Sequence, residues 1–211
     1  MPARPNDGAS ILVQTWAMEL SELIRRRRMV HEFEPRPIPP DVLERILESA
    51  LHAPSAGFSQ GLGLIVLDDP GRLKWFWDTT GGSNFGSPPP VIVIPIPDKR
   101  VYLERYSRPD KGGPQGEQAT EAGWPVAYWD IDAAMACMLM LLKAVEEGIG
   151  GWFFGFTKGE KELLDGLGVP EGLRPIGALA FGYKAAGDHK AGSSVTISRH
   201  TMKDLVHRGR W

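Results

Sequence analysis

The 211-residue sequence holds a single cysteine, Cys137, so no disulfide can close within the chain and a disulfide-stapled extracellular framework is excluded. Cys137 lies inside an apolar run, the setting of a buried, unreactive thiol. An excess of one charge is missing as well. Lys and Arg number 24 against 26 Asp and Glu, and a formal net charge of -2 supplies no global field for nucleic acid or an anionic membrane. The longest apolar run, residues 133–142, is too short to cross a bilayer, and the N-terminus lacks the basic-then-apolar order of a secretory signal. A cytoplasmic protein with no nucleic-acid or membrane partner is the expectation. Neither GxGxxG nor GxxxxGKS/T occurs, which removes support for the usual dinucleotide and nucleoside triphosphate loops. His31, His52, His189, His200 and His207 show no ligand spacing with cysteine or carboxylate, so no metal is expected.

With 42% hydrophobic and 24% charged residues, the chain has the composition of an ordinary globular protein, long enough to bury a core as one large domain or two small ones. Residues 1–14 carry Pro, Asn, Asp and Gly without a period and read as a flexible N-terminal arm ahead of a single domain at 15–211. Leu20, Leu23 and Ile24 supply the stripe of a first helix that ends in Arg25 to Arg28. After Pro39 and Pro40, the residues Val42, Leu43, Ile46, Leu47, Ala50 and Leu51 recur with the spacing of one helical face, and Pro54 stops that helix. A strand is predicted over 62–67, a short helix over 72–78, and a loop over 81–90. A second strand is predicted over 91–94, with Pro95 and Pro97 marking its end. Residues 107–125 are long, polar and glycine-rich, the pattern of a lid. Residues 130–148 hardly show a polar face, and a helix apolar all round must be buried all round, either at the centre of the domain or under another subunit. Strands over 152–156 and 176–183 flank a modest helix, and the tail 195–211 is punctuated by apolar residues that need packing against the domain or a second subunit. Helices and strands thus alternate loosely around one sheet, an α/β or α+β domain.

Two stretches are candidates for chemistry. Residues 53–61, Ala-Pro-Ser-Ala-Gly-Phe-Ser-Gln-Gly, form a small-residue turn whose backbone N–H groups can lie flat against a ligand, or simply a tight helix-to-strand connection. The four arginines complement a helix C-terminus or solvate a face, and the planar guanidinium fork also suits phosphate.

In this order the elements resemble the flavin-dependent nitroreductase family, whose helix ends in an RRS-x-R-x-F box and whose APS-x-x-N-x-Q-P turn precedes a strand. Residues 27–33 stand in the first box and 53–60 in the second; residues 148–156 look like the family's late glycine-rich segment. The resemblance implies an α+β, three-layer α/β/α sandwich around a mainly antiparallel sheet, homodimeric, with FMN at the subunit interface. It implies cofactor contacts from Arg27, Arg28, Met29, His31 and Arg199 around the phosphate. Pro54, Ser55, Ala56, Gly57 and Gln60 would border the ring, with Phe154 and Gly155 on its reactive side. No catalytic side chain is implied, because the flavin carries the redox chemistry. NAD(P)H would be the donor and a nitroaromatic or quinone the acceptor, in ping-pong order. A flavin or deazaflavin storage or sensor protein is the alternative. Trp124, Tyr128 and Trp129 beside the lid-like segment are candidate substrate contacts, or core residues that cap the helix.

Four departures stand out. Met29 replaces the family's serine and His31 its arginine, so the phosphate loses a hydroxyl and a permanent charge, for which Arg28 or Arg26 could compensate. Phe58 stands where asparagine is common. Gly61-Leu62 replaces Pro-Trp.

Overall fold

The computed structural model describes residues 18–82, 87–189 and 193–211. The arm expected at 1–14 lies outside them, as does part of the loop expected at 81–90.

Four strands form one antiparallel sheet: β1 (Leu62–Leu67), β2 (Val91–Pro97), β3 (Gly150–Phe154) and β4 (Ala178–Gly182), in the spatial order β1-β2-β4-β3. The register pairs Ile65 with Ile94, Val93 with Leu179, and Trp152 with Ala180. Side chains alternate across a sheet, and here the alternation assigns each residue to a layer. Val91, Val93, Leu179 and Phe181 enter one apolar cluster, while Ile92, Ile94, Ile96, Ala178 and Ala180 enter the other. Both faces are therefore covered, which is why β2 and β4 read as continuous apolar runs. The first face is covered by α2 (Pro40–Glu48) and α5 (Tyr128–Glu146), through Leu43, Ile46, Ala136, Met140 and Leu141. The second is covered by α3 (Pro70–Thr80) and α6 (Glu160–Leu167), through Phe76 and Leu163, both fully buried. The result is the expected α+β, three-layer arrangement.

Local chemistry sets the element ends. Asp69 accepts from the Arg72 N–H to cap α3, with Pro70 in the first turn, and Gly81 ends the helix at a left-handed φ of 92°. Asp98 caps α4 (Lys99–Tyr106) in the same way. The short α1 (Leu20–Arg26) precedes the arginine segment, and α7 (Ser193–Thr196) and α8 (Met202–Leu205) lie in the tail.

One expectation needs correction, and others are only partly met within one chain. β2 does not end at Pro95: the strand runs to Pro97. The Pro95 carbonyl accepts from the Ile176 N–H, so Pro95 turns its missing donor toward the β4 side, beyond the last paired residue there, Val93. Helix α5 is not buried all round, since Ile131, Met135 and Met138 are exposed. Leu20 and Ile24 of α1 are exposed too, and only Leu23 of that stripe is buried. The tail lies off the domain within one chain, with Val195, Ile197, Met202, Leu205 and Trp211 exposed. Residues 107–125 are a chain of short 3-10 turns at Pro109–Lys111, Glu117–Ala119 and Glu121–Gly123.

Edge strand β3 meets α5 through Gly151, where an added Cβ would come within 2.8 Å of the Leu141 side chain and 3.2 Å of the Phe181 ring. Gly151→Ala should therefore destabilise the fold by about 1–3 kcal/mol through overpacking. Urea unfolding with an unchanged slope and a lowered midpoint is the expected result.

Candidate functional site

Leaving α1, the chain is pinned along β3. The Val30 N–H donates to the Gly151 carbonyl at 3.1 Å, and Met29 bridges Gly151. The Met29 sulfur accepts from the Phe153 N–H at 3.5 Å, so this side chain is turned onto the strand. Farther on, Asp188 comes in from the turn after β4 and is 6% exposed. Its carboxylate accepts from the His31 N–H at 2.8 Å, the Glu32 N–H at 3.2 Å and the Arg28 guanidinium at 2.5 Å. Burial works against its charge, but the His31 N–H, Arg28 and the Glu32 N–H outweigh burial and hold the carboxyl below its ordinary range.

The arginines consequently divide. Arg25 and Arg26 both pair with Glu22, and the Arg28 charge is answered by Asp188, so Arg26 and Arg28 already have partners within the chain. The compensation expected of them for the charge missing at position 31 is thus compromised. The His31 ring lies edge-on to Trp152, centroids 5.0 Å apart. Arg27 is different: its Nη1 is buried and has no hydrogen-bond partner among the described residues. Buried guanidinium nitrogens without an acceptor are costly, and an anion from outside the chain would remove that cost.

The second stretch, 53–61, is a tightly bonded turn. Ser55 accepts twice, at its carbonyl from the Phe58 N–H (2.9 Å) and at its Oγ from the Gln60 N–H (3.1 Å). Gly57 adopts φ 61°, with the Tyr106 ring 2.7 Å from where a Cβ would stand, so glycine is required there on both counts. Its carbonyl accepts from Arg105 Nε at 3.0 Å. Asp132 of α5, 6% exposed, accepts from the Ala56 N–H and from the Tyr102 hydroxyl, each at 2.8 Å. Burial and the Asp132 hydrogen bond raise the Tyr102 pKa, keeping the phenol protonated. Behind the turn, Pro54, Ser55, Gln60, Tyr102 and Asp132 help line a cavity of about 100 Å³.

Within one chain these two stretches lie apart. The turn leads into β1 and the arginine segment runs beside β3, which are opposite edges of the sheet. Helix α5 measures the separation: Asp132 touches the turn, Leu141 touches Gly151, and nine residues at 1.5 Å rise span about 14 Å. Of the remaining expected residues, Phe154 stacks on Trp152 at 4.3 Å and on Trp77 at 5.6 Å, and Gly155 faces open space. Arg199 is on the exposed tail between α7 and α8. Trp124 and Trp129 are buried in a cluster with Tyr102, the Trp124 indole donating to the Gln118 carbonyl at 2.9 Å, whereas Tyr128 is 38% exposed. Among the described residues no three His, Cys, Asp or Glu side chains form a group able to hold a metal ion.

The two buried carboxylates escaped the sequence reading. Asp132 had a signal, as the last acid before the apolar stretch of α5; Asp188 had none, being 160 residues from the arginine that it pairs with.

The model of the family described as "Nitroreductase family" matches residues 24–86 and 113–183, more than half the chain. The chain belongs to the nitroreductase family. A nitroreductase-family crystal structure from Clostridium difficile 630 superposes with a TM-score of 0.68 at 21% identity, covering 92% of this chain and all of that one. A structure described as an FMN-dependent nitroreductase from Clostridium difficile R20291 gives 0.65 at 20% identity, with 90% and 98% covered. In sequence, the chain is 29% identical over 176 residues to an NADH dehydrogenase of Thermus thermophilus, 76% of this chain and 84% of that protein.

Because Asp188 has a depressed pKa, its stabilisation is complete above the unfolded value near 3.8 and is lost as pH falls through the lower folded value. Below pH about 4, the protein should lose stability more steeply than its Asp188→Asn variant, which should start less stable at neutral pH. Urea midpoints measured between pH 7 and pH 2 check both parts.

Proposed function

We propose that the protein is an FMN-dependent oxidoreductase that works as a homodimer, taking electrons from NAD(P)H and passing them to an electrophilic acceptor such as a nitroaromatic or quinone in ping-pong order. The observation that carries this reading is the buried, unpartnered Arg27 Nη1, at the position where the family resemblance puts a phosphate contact. When bound, FMN supplies the hydride chemistry. The chain's own part is to hold, orient and screen.

Arg27 would bind the phosphate directly, aided by Arg199 if the tail folds over the site. Arg28 acts through Asp188, fixing the backbone of residues 31 and 32, and that fixes the lie of the segment carrying Arg27. Gly155, with open space where a Cβ would be, leaves the end of β3 free for close approach of a flat ring. The turn at 54–60 presents backbone and small side chains but stands about 14 Å away along α5 in the same chain. A second copy related by a two-fold axis would supply that turn across the interface. Support for the dimer comes from the apolar side chains left exposed on α1, α5 and the tail, among them Leu20, Ile24, Met138, Ile197 and Leu205. In this reading, residues 107–125 and the neighbouring Tyr128 of α5 border the acceptor's approach.

Titration of the purified protein with FMN, followed by anaerobic addition of NADPH, tests the proposal. Arg27→Ala should weaken FMN about ten- to hundredfold, the worth of a hydrogen bond to a charged group, while weakening riboflavin far less. Equal losses for both ligands would mean that Arg27 does not touch the phosphate. Light scattering should give twice the 23.2 kDa chain mass. A chain stopped before Val195 should lose flavin or solubility; a soluble, flavin-loaded monomer would remove the interface.

A further inference from the structure

We propose that Phe58 is a specificity-determining residue: an aromatic platform, carried on a tightly held turn, on which a flat, aromatic or quinonoid acceptor stacks. The proposal rests on the flavin reading above and goes on to name a contact for the acceptor.

Phe58 adopts φ 54°, in the left-handed region, and its side chain is 74% exposed. Either feature alone would be unremarked. Exposed apolar residues are common, and a left-handed turn residue is ordinary when it is Gly or Asn. Together they conflict. A bulky side chain makes this backbone conformation costly, and a ring that buries so little of itself on its own chain does not offset that cost through packing. Gln60, at φ 57°, is a second non-glycine residue in the left-handed region within the same turn.

The turn is held in this state from three sides. The buried Asp132 carboxylate takes the Ala56 N–H, Arg105 takes the Gly57 carbonyl, and the Tyr106 ring closes over Gly57. Ser55 ties the far side through the N–H groups of Phe58 and Gln60. Ser55, Ala56 and Gly57 are half-buried against these supports, whereas Phe58 stands clear at the tip. The backbone that carries the ring is thus ordered before any ligand arrives, so stacking on it orders only the side-chain torsions. Its open face suits a planar molecule, and the resemblance gives the border of the flavin ring to Pro54, Ser55, Ala56, Gly57 and Gln60, which leaves Phe58 for the acceptor.

The test uses the FMN-loaded, full-length protein with NADPH as donor and two acceptors, menadione, which is planar, and ferricyanide, a compact anion with no face to stack. Phe58→Ala should raise the ratio of the KM for menadione to the KM for ferricyanide about two- to tenfold, the range of one aromatic contact. Phe58→Trp should restore the ratio. FMN affinity and oligomer mass should stay at their wild-type values. Phe58→Gly relieves the left-handed φ, so its Tm should be at least that of the wild type while the same ratio rises. An unchanged ratio, a loss of FMN affinity, a change in oligomer mass or a lower Tm for Phe58→Gly would each overturn the proposal, by giving the ring to the flavin, the subunit interface or the fold. Wild-type protein that takes up no FMN would overturn the flavin reading first, and the platform with it.

Discussion

The close seating of α5 against one face of the sheet decides where everything else can lie. Its buried side chains, Ala133, Ala136, Met140 and Leu141, leave so little room that Gly151 of β3 cannot carry a methyl group beneath Leu141. Interiors packed to this density transmit position faithfully. One end of α5 therefore sets the turn at 54–60, the other sets β3 and the arginine segment beside it, and the helix's length sets the distance between them.

At each end the seating is completed by a buried carboxylate. Asp132 collects a backbone N–H and a phenol, with no cation among those partners, while Asp188 collects two backbone N–H groups and a guanidinium. Buried acids are tolerated only when their lone pairs are satisfied, so each acts as a clasp that forms when the surrounding elements are already in place. The contrast with Arg27 is informative. The chain satisfies these carboxylates internally and leaves one buried arginine nitrogen for something else. At the cysteine no such opening exists, since burial pushes the Cys137 thiol up to about 12 and makes it inert.

A single chain also exposes apolar surface on three separate elements, α1, α5 and the tail. Scattered exposed apolar residues would be unremarkable, but here they recur on the elements that carry or flank the candidate site, which suits a surface shared by two copies better than a solvated one. The opposite-edge placement of the turn and the arginine segment points the same way, because two copies offer each edge a partner.

Much of this was legible in the chain before any coordinates. Period and punctuation placed α2, β1, α5 and β4, since apolar spacing is a local record of which face is buried. The paired boxes at 27–33 and 53–60 carried the family. Other features needed the tertiary structure because they depend on residues far apart in sequence. Proline at 95 reads as a strand end until β4 is seen to stop pairing at Val93. Met138 reads as core until one side of α5 is seen to have no cover. Arg28 reads as a free cation until Asp188 arrives from 160 residues away, and Phe58 reads as an ordinary turn residue until Asp132, Arg105 and Tyr106 hold its backbone left-handed. Sequence alone determined which segments prefer to be helix, strand or turn, because those preferences are local free energies. Which charge is paired, which face is covered and which ring is held open were decided by the tertiary structure, because each depends on the nearest neighbour in space.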